Sequence, residues 1–128
     1  MQISGVDFIA MPTRDFEEAD RFYGDVLGLE RSKQWGDMPA REYETGNLTI
    51  AVMQTDAFGV DFEPHSLPVA LHVDDVAAAR SELEAKGVEF LRDDIDSGVC
   101  NMAYFADPDG NRLMFHHRYA PKDAGPGA

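Results

Sequence analysis

Cysteine is almost missing from this chain: Cys100 is the only one in 128 residues. An intrachain disulfide is therefore excluded, and a reducing, cytoplasmic setting is expected. Long apolar runs are missing as well. None approaches the roughly 20 residues of a membrane-spanning helix, and Met1-Gln2-Ile3-Ser4-Gly5 has none of the character of a signal peptide. Bases are scarce, with 11 Lys and Arg against 24 Asp and Glu and a formal net charge of -13. The acidity is spread evenly along the chain, so no basic stripe stands out. Such a field repels phosphate backbones and anionic lipids, which argues against nucleic-acid and membrane partners. It suits a cationic ligand, although a well-solvated acidic surface would look the same. The hydrophobic fraction of 44% is ordinary. A domain of this length buries roughly two-thirds of its unfolded surface, enough to fold without disulfides or structural zinc.

What the chain does contain is an internal repeat. Ile9-Ala10-Met11 is answered sixty residues later by Val69-Ala70-Leu71, Asp15-Phe16 by Asp75-Val76, and Ala19 by Ala79. Further on, Gly28-Leu29-Glu30 matches Gly87-Val88-Glu89, and Gly46-Asn47 matches Gly110-Asn111. Each copy reads as an apolar strand, an acid-capped helix and three shorter strands. The helix-opening acids are Asp15, with Glu18 at capping-box spacing, and Asp75. Gly28 and Gly87 supply the left-handed stops. The strands are expected over Val6–Met11, Glu30–Trp35, Arg41–Thr45 and Leu48–Gln54, then Val69–Val73, Val88–Arg92, Val99–Ala106 and Arg112–Tyr119. Asp107-Pro108-Asp109-Gly110 between the last two is a turn signal. The fold class is thus α+β, two tandem βαβββ modules forming a curled mixed β-sheet trough with helices on the outer face. Module one covers about 5–54, a linker 55–66 and module two about 67–119, and the Pro/Gly/Ala-rich tail 121–128 is expected to be disordered.

Two stretches carry a family resemblance. Asp15-Phe16-Glu17-Glu18-Ala19-Asp20-Arg21-Phe22-Tyr23-Gly24-Asp25-Val26-Leu27-Gly28-Leu29 looks like the "FY…LGL" helix of the vicinal oxygen chelate superfamily. Tyr104-Phe105-Ala106-Asp107-Pro108-Asp109-Gly110-Asn111 is similar to its "F-x-DPDGN" hairpin. That superfamily includes glyoxalase I, extradiol dioxygenases, and bleomycin- and fosfomycin-resistance proteins. In its metal-dependent members four ligands, usually His, Gln or Glu, come from the first and last strand of each module. The resemblance places those positions at Phe8, Ile50, Pro68 and Met114, with Ala51 replacing Ile50 if that strand slips by one. None offers a hard oxygen or an imidazole, so no metal and no other cofactor is expected.

Other residues suggest how a trough could be used. The histidines are His65, His72, His116 and His117. Strand alternation puts His72 with Pro68 and His116 with Met114, and sets His116 and His117 on opposite faces. A relocated metal at His72 and His116 would lack a third ligand. As acid/base groups, His72, His116 and Glu42 are the catalytic candidates, with Glu44 and Tyr43 beside them. Both glutamates also fit a plain solvent-facing strand. Phe8, Trp35, Tyr43, Met102, Tyr104 and Met114 could form a slot for a flat ligand, or simply pack in the core. Cys100 reads as a packed strand residue. The expected function is metal-free binding of a flat apolar or cationic small molecule by a homodimer, in the manner of bleomycin-resistance proteins. The alternative is a metal-independent isomerase or lyase.

Overall fold

The computed structural model describes residues 1–123. Residues 124–128, most of the tail expected to be disordered, lie outside that range. The chain divides into two units: Met1–His65 with the turn Pro108–Asn111, and Ser66–Asp107 with the residues from Arg112 onward. Among the described residues no helix is long and apolar enough to cross a membrane.

In the first unit β1 (Ile9–Thr13) leads to α1 (Phe16–Asp20), which continues as a π-helical segment, Arg21–Val26. Strands β2 (Glu30–Gln34), β3 (Ala40–Glu44) and β4 (Thr49–Gln54) complete a sheet ordered β1-β4-β3-β2, with β1 parallel to β4 and the other pairs antiparallel. In the second unit β5 (Val69–His72), α2 (Val76–Ala85), β6 (Ile95–Asp96), β7 (Cys100–Ala106) and β8 (Arg112–Arg118) give the order β5-β8-β7-β6 with the same parallel and antiparallel pattern. These are two βαβββ modules in an α+β fold, as the repeat requires.

The two helices begin alike. Asp15 (φ -140°, ψ 98°) and Asp75 (φ -138°, ψ 101°) are extended N-caps whose carboxylates accept from the N–H groups of Glu18 and Ala78. The reciprocal half of the capping box is filled differently, because the Asp15 N–H is taken by the Thr13 hydroxyl at 3.1 Å rather than by Glu18. Past each helix, Gly28 (φ 72°) and Gly87 (φ 91°) adopt the left-handed conformation that glycine enters without steric cost.

Register assigns the sheet faces, since paired residues share a face and successive ones alternate. In the first unit Ile9 pairs with Ile50, Met11 with Val52, and Tyr43 with Ile50. This is the helix side: Tyr23 of the π-helical segment lies 5.7 Å from the Tyr43 ring, centroid to centroid. Met11, Tyr23, Tyr43, Ile50 and Val52 are fully or almost fully buried and form the core there. In the second unit Leu113, Phe115, Ala103 and Phe105 occupy the helix side, and Phe90 joins a ring cluster with Phe105 and Phe115 under the Arg80 guanidinium of α2.

Three strand expectations need correction. β1 starts at Ile9 and runs to Thr13, so Val6–Phe8 precede it. The stretch Val88–Arg92 is not a strand: a single bond from Leu91 N–H to the Tyr104 carbonyl, 2.8 Å, ties it to β7. Arg80 holds the end of the stretch, bonding the Arg92 carbonyl at 3.0 Å and Asp94 at 2.6 Å, and β pairing with β7 is made only over Ile95–Asp96. The third correction is to the repeat offset. Ala10 pairs with Ala51 while Ala70 pairs with Met114, so Ala51 and not Ile50 is the counterpart of Met114. Counted from the shared Gly-Asn pair, β4 begins one residue later than β8, at Thr49 after Gly46 against Arg112 after Gly110, and the Thr45 hydroxyl closes the turn by bonding the Leu48 N–H and carbonyl.

Candidate functional site

In the first unit the face away from the helix carries Ala10, Glu42 and Ala51, and alternation adds Phe8, just before β1. Phe8, 41% exposed, meets Trp35 edge to face at 5.3 Å, and Trp35 meets Phe58 in the same manner at 6.2 Å. Trp35 is fixed by its indole N–H, which donates to the Glu42 carboxylate at 2.6 Å. The result is an aromatic edge with a carboxylate at its base, suited to a flat or cationic group. Phe58 was not singled out from the sequence. It sits in a 3-10 turn, Thr55–Phe58, inside what reads as a linker.

Tyr43 and Ile50 do not join this group. Both are buried on the helix side, where the Tyr43 hydroxyl donates to Asp20 at 2.5 Å. Burial and the Asp20 carboxylate both push the Tyr43 phenol up, so it stays neutral. Burial works against ionisation of Asp20, but the Tyr43 hydroxyl and Arg31, helped by Arg41, outweigh it and hold the carboxyl below its ordinary range. Arg31 reaches Asp20 at 3.0 Å across Gly24, where an added Cβ would lie 2.0 Å from the guanidinium carbon. Glu44 accepts from Ser32 and Thr49, and these bonds hold its pKa down. Both carboxylates are thus engaged by partners within the first unit.

In the second unit the face away from α2 carries Ala70, Met102, Tyr104, Met114 and His116, and alternation adds Pro68, just before β5. The Tyr104 hydroxyl points to the Met102 sulfur at 3.7 Å. Met114, Tyr104 and His116 are half-buried, while Met102 is buried. Burial lowers the His116 pKa, and His72, His117 and Arg118 add to the effect by repelling the imidazolium. His72 pairs with His116 in the β5–β8 register, and at the strand end its ring turns to within 5.8 Å of that of His117, with Nε2 3.2 Å from Asp74. His65 lies in the first unit, its N–H bonded to Asn111 at 2.8 Å. Cys100 is fully buried in β7.

The turn 108–111 has a part to play that its turn signal alone did not reveal. Within the first unit Asp109, nearly buried, accepts from the Thr13 hydroxyl and from the Arg14 N–H at 2.9 Å. Asn111, fully buried, donates to the Pro12 carbonyl at 2.8 Å. The turn thus fixes the end of β1 and the approach to α1.

A pair of βαβββ modules, each with an Asp-capped helix against one sheet face, defines the class to which this molecule belongs. The chain matches the Glyoxalase/Bleomycin resistance protein/Dioxygenase superfamily over residues 5–115, and it belongs to that family. Among solved structures it is similar to a glyoxalase/bleomycin resistance protein/dioxygenase from Nocardioides, with 20% identity, TM-score 0.77, and coverage of 99% of this chain and 92% of the other. It is similar to a lactoylglutathione lyase from Agrobacterium tumefaciens at 17% identity and TM-score 0.76, covering 90% and 94%. An integron cassette protein from V. cholerae matches at 25% identity and TM-score 0.70, covering 94% and 98%.

The family's metal-dependent members raise the question of a cation at the matching positions. Phe8, Pro68 and either Ile50 or Ala51 offer only hydrocarbon, and Met114 only a thioether. That donor set does not fit Mg²⁺, Mn²⁺, Fe²⁺ or Ni²⁺ held by oxygen and imidazole. No step is therefore routed through a metal there.

Proposed function

We propose that the protein is a cytoplasmic small-molecule binder that works without a metal at the family's ligand positions and holds a flat apolar or cationic compound. One observation carries this reading: where relatives place ligating side chains, this chain places Phe8 and Met114, each next to further aromatic or sulfur-bearing surface. The Phe8–Trp35–Phe58 edge above Glu42 and the Met102–Tyr104–Met114 row each offer stacking area. The net charge of -13 adds a field that favours cations. The single buried cysteine is in keeping with a reducing compartment. A homodimer, common in the family, is the expected assembly, and sedimentation at micromolar concentration checks it.

The test is native mass spectrometry of tag-free protein, followed by titration with planar aromatic compounds that differ only in charge. A bound small molecule, or saturable binding that favours the cationic member, is the expected result. Trp35→Ala should weaken binding at least about tenfold, roughly the 1.4 kcal/mol expected of one lost stacking contact. Binding unaffected by Trp35→Ala, or none to any compound, would contradict the reading.

A metal-independent isomerase or lyase is the second reading. The observation in its favour is His116, whose lowered pKa keeps it neutral and able to accept a proton near neutral pH. Turnover abolished by His116→Gln would establish it.

A further inference from the structure

Sequence spacing alone gives His72 and His116 no third ligand, and the fold changes both the pairing and the count. β5 ends at His72, and the next residue, Val73, donates its N–H to the His116 carbonyl at 3.1 Å. At that strand end the His72 ring turns to His117, 5.8 Å away with a 41° angle between planes. The chain then turns into α2 through Asp74 and Asp75. Asp75 is occupied as the helix cap, accepting from the Ala78 N–H at 3.0 Å. Asp74 is left to face His72, with its carboxylate oxygen 3.2 Å from Nε2. One ligand atom each from His72, Asp74 and His117 lies within 4.8 Å of the other two.

The geometry points to a zinc-type divalent cation site formed by His72, Asp74 and His117, apart from the positions where metal-dependent relatives carry their ligands. Four observations support it. The His117 Nδ1 atom is buried with no hydrogen-bond partner among the described residues, an uncommon state for a buried polar atom. Two imidazoles and one carboxylate are the donor set of open zinc centres, which keep a fourth position for water. In a tetrahedral site, ligand atoms stand about 3.3 Å apart for bond lengths near 2.0–2.1 Å. His72 and Asp74 already meet that spacing, and with side chains 70% and 98% exposed they can swing the remaining distance to His117. Finally, the cleft bounded by Asp74, Asp75, Asp96 and His117, about 410 Å³, is strongly acidic. Its other carboxylates are engaged elsewhere: Asp94 with Arg80 at 2.6 Å, and Asp96 with the Tyr119 hydroxyl at 2.7 Å. Asp74 is the acid left for a metal. A bound ion would tie the β5–α2 turn to β8 and keep its fourth position open to water. It goes beyond the small-molecule reading and does not depend on it.

The experiment is calorimetric titration of Zn²⁺ into tag-free, chelator-stripped full-length protein, together with NMR of the imidazole resonances. One ion per chain should bind with a dissociation constant on the order of micromolar, and the melting temperature should rise with zinc. His72→Ala, Asp74→Asn and His117→Gln should each weaken binding at least about tenfold, whereas His65→Ala should leave it unchanged. Zinc should shift the His72 and His117 resonances of the unmodified chain, a readout that stands even if a variant fails to fold. The proposal is overturned by binding weaker than about 100 μM, by equal shifts at all four histidines, by displacement of zinc with millimolar Ca²⁺, or by affinity that survives His117→Gln. Loss of zinc binding would leave the planar-ligand titration unaffected, so the two readings fail separately.

Discussion

Asp20 shows how much one side chain can organise. It accepts from Tyr43, ion-pairs with Arg31 at 3.0 Å and Arg41 at 3.4 Å, and joins the start of the π-helical segment to β2 and β3. Asp20→Asn keeps the shape but removes the charge on which three partners converge. A loss of about 1–2 kcal/mol in urea unfolding is expected, as for a half-buried charge-assisted network. The pH dependence has a definite sign. Because the folded pKa of Asp20 lies below its ordinary 3.8, the residue's stabilisation is complete above that value and fades as pH falls below it through the folded pKa. Asp20→Asn should lose this component of acid sensitivity, and an unchanged acid-unfolding curve would contradict the assignment. Residue roles of this kind were poorly legible. The sequence leaves Tyr43 open between a ligand slot and the core, because an aromatic on a strand has no intrinsic side, and only the Tyr23–Tyr43 contact and the Asp20 bond give it one.

At the scale of elements, strand alternation makes a sharp prediction on β8. Leu113 is fully buried toward α2, whereas its neighbour Met114 is half-buried on the opposite face. Leu113→Ala should cost about 2–5 kcal/mol, the range for a truncated core leucine, and Met114→Ala well under half of that. Met114→Glu should still fold, because the carboxylate can reach water. If the Met114 variants prove the more damaging, the assigned faces are reversed. The helices and most strands were readable from the sequence, since Asp15, Asp75, Gly28 and Gly87 are local signals that act through their own backbone. What misled were features set at a distance. The one-residue difference between the turns into β4 and β8 put Ile50 where Ala51 belongs, and Val88–Arg92 lies against Arg80 of α2 instead of forming a strand. A one-residue slip reverses every side chain of a strand, so small turn differences weigh heavily.

For the molecule as a whole, the repeat was the strongest signal, because two copies of one order of landmarks constrain topology more than any propensity does. Family membership follows from that order together with the match over residues 5–115. Function was less legible, since a shared fold hosts many chemistries and only the site decides among them. Here the positions that would bind a metal carry apolar groups, and the claim that they contact a ligand instead rests on Phe8. The most direct measurement pairs melting temperature with affinity for the planar cation in Phe8→Ala and Ile9→Ala. Phe8 is 41% exposed against Trp35, while Ile9 pairs with Ile50 on the helix side. Phe8→Ala should weaken binding at least about tenfold with little change in melting temperature, and Ile9→Ala should lower the melting temperature with affinity intact. Unchanged affinity in Phe8→Ala, or a binding loss confined to Ile9→Ala, would contradict the account.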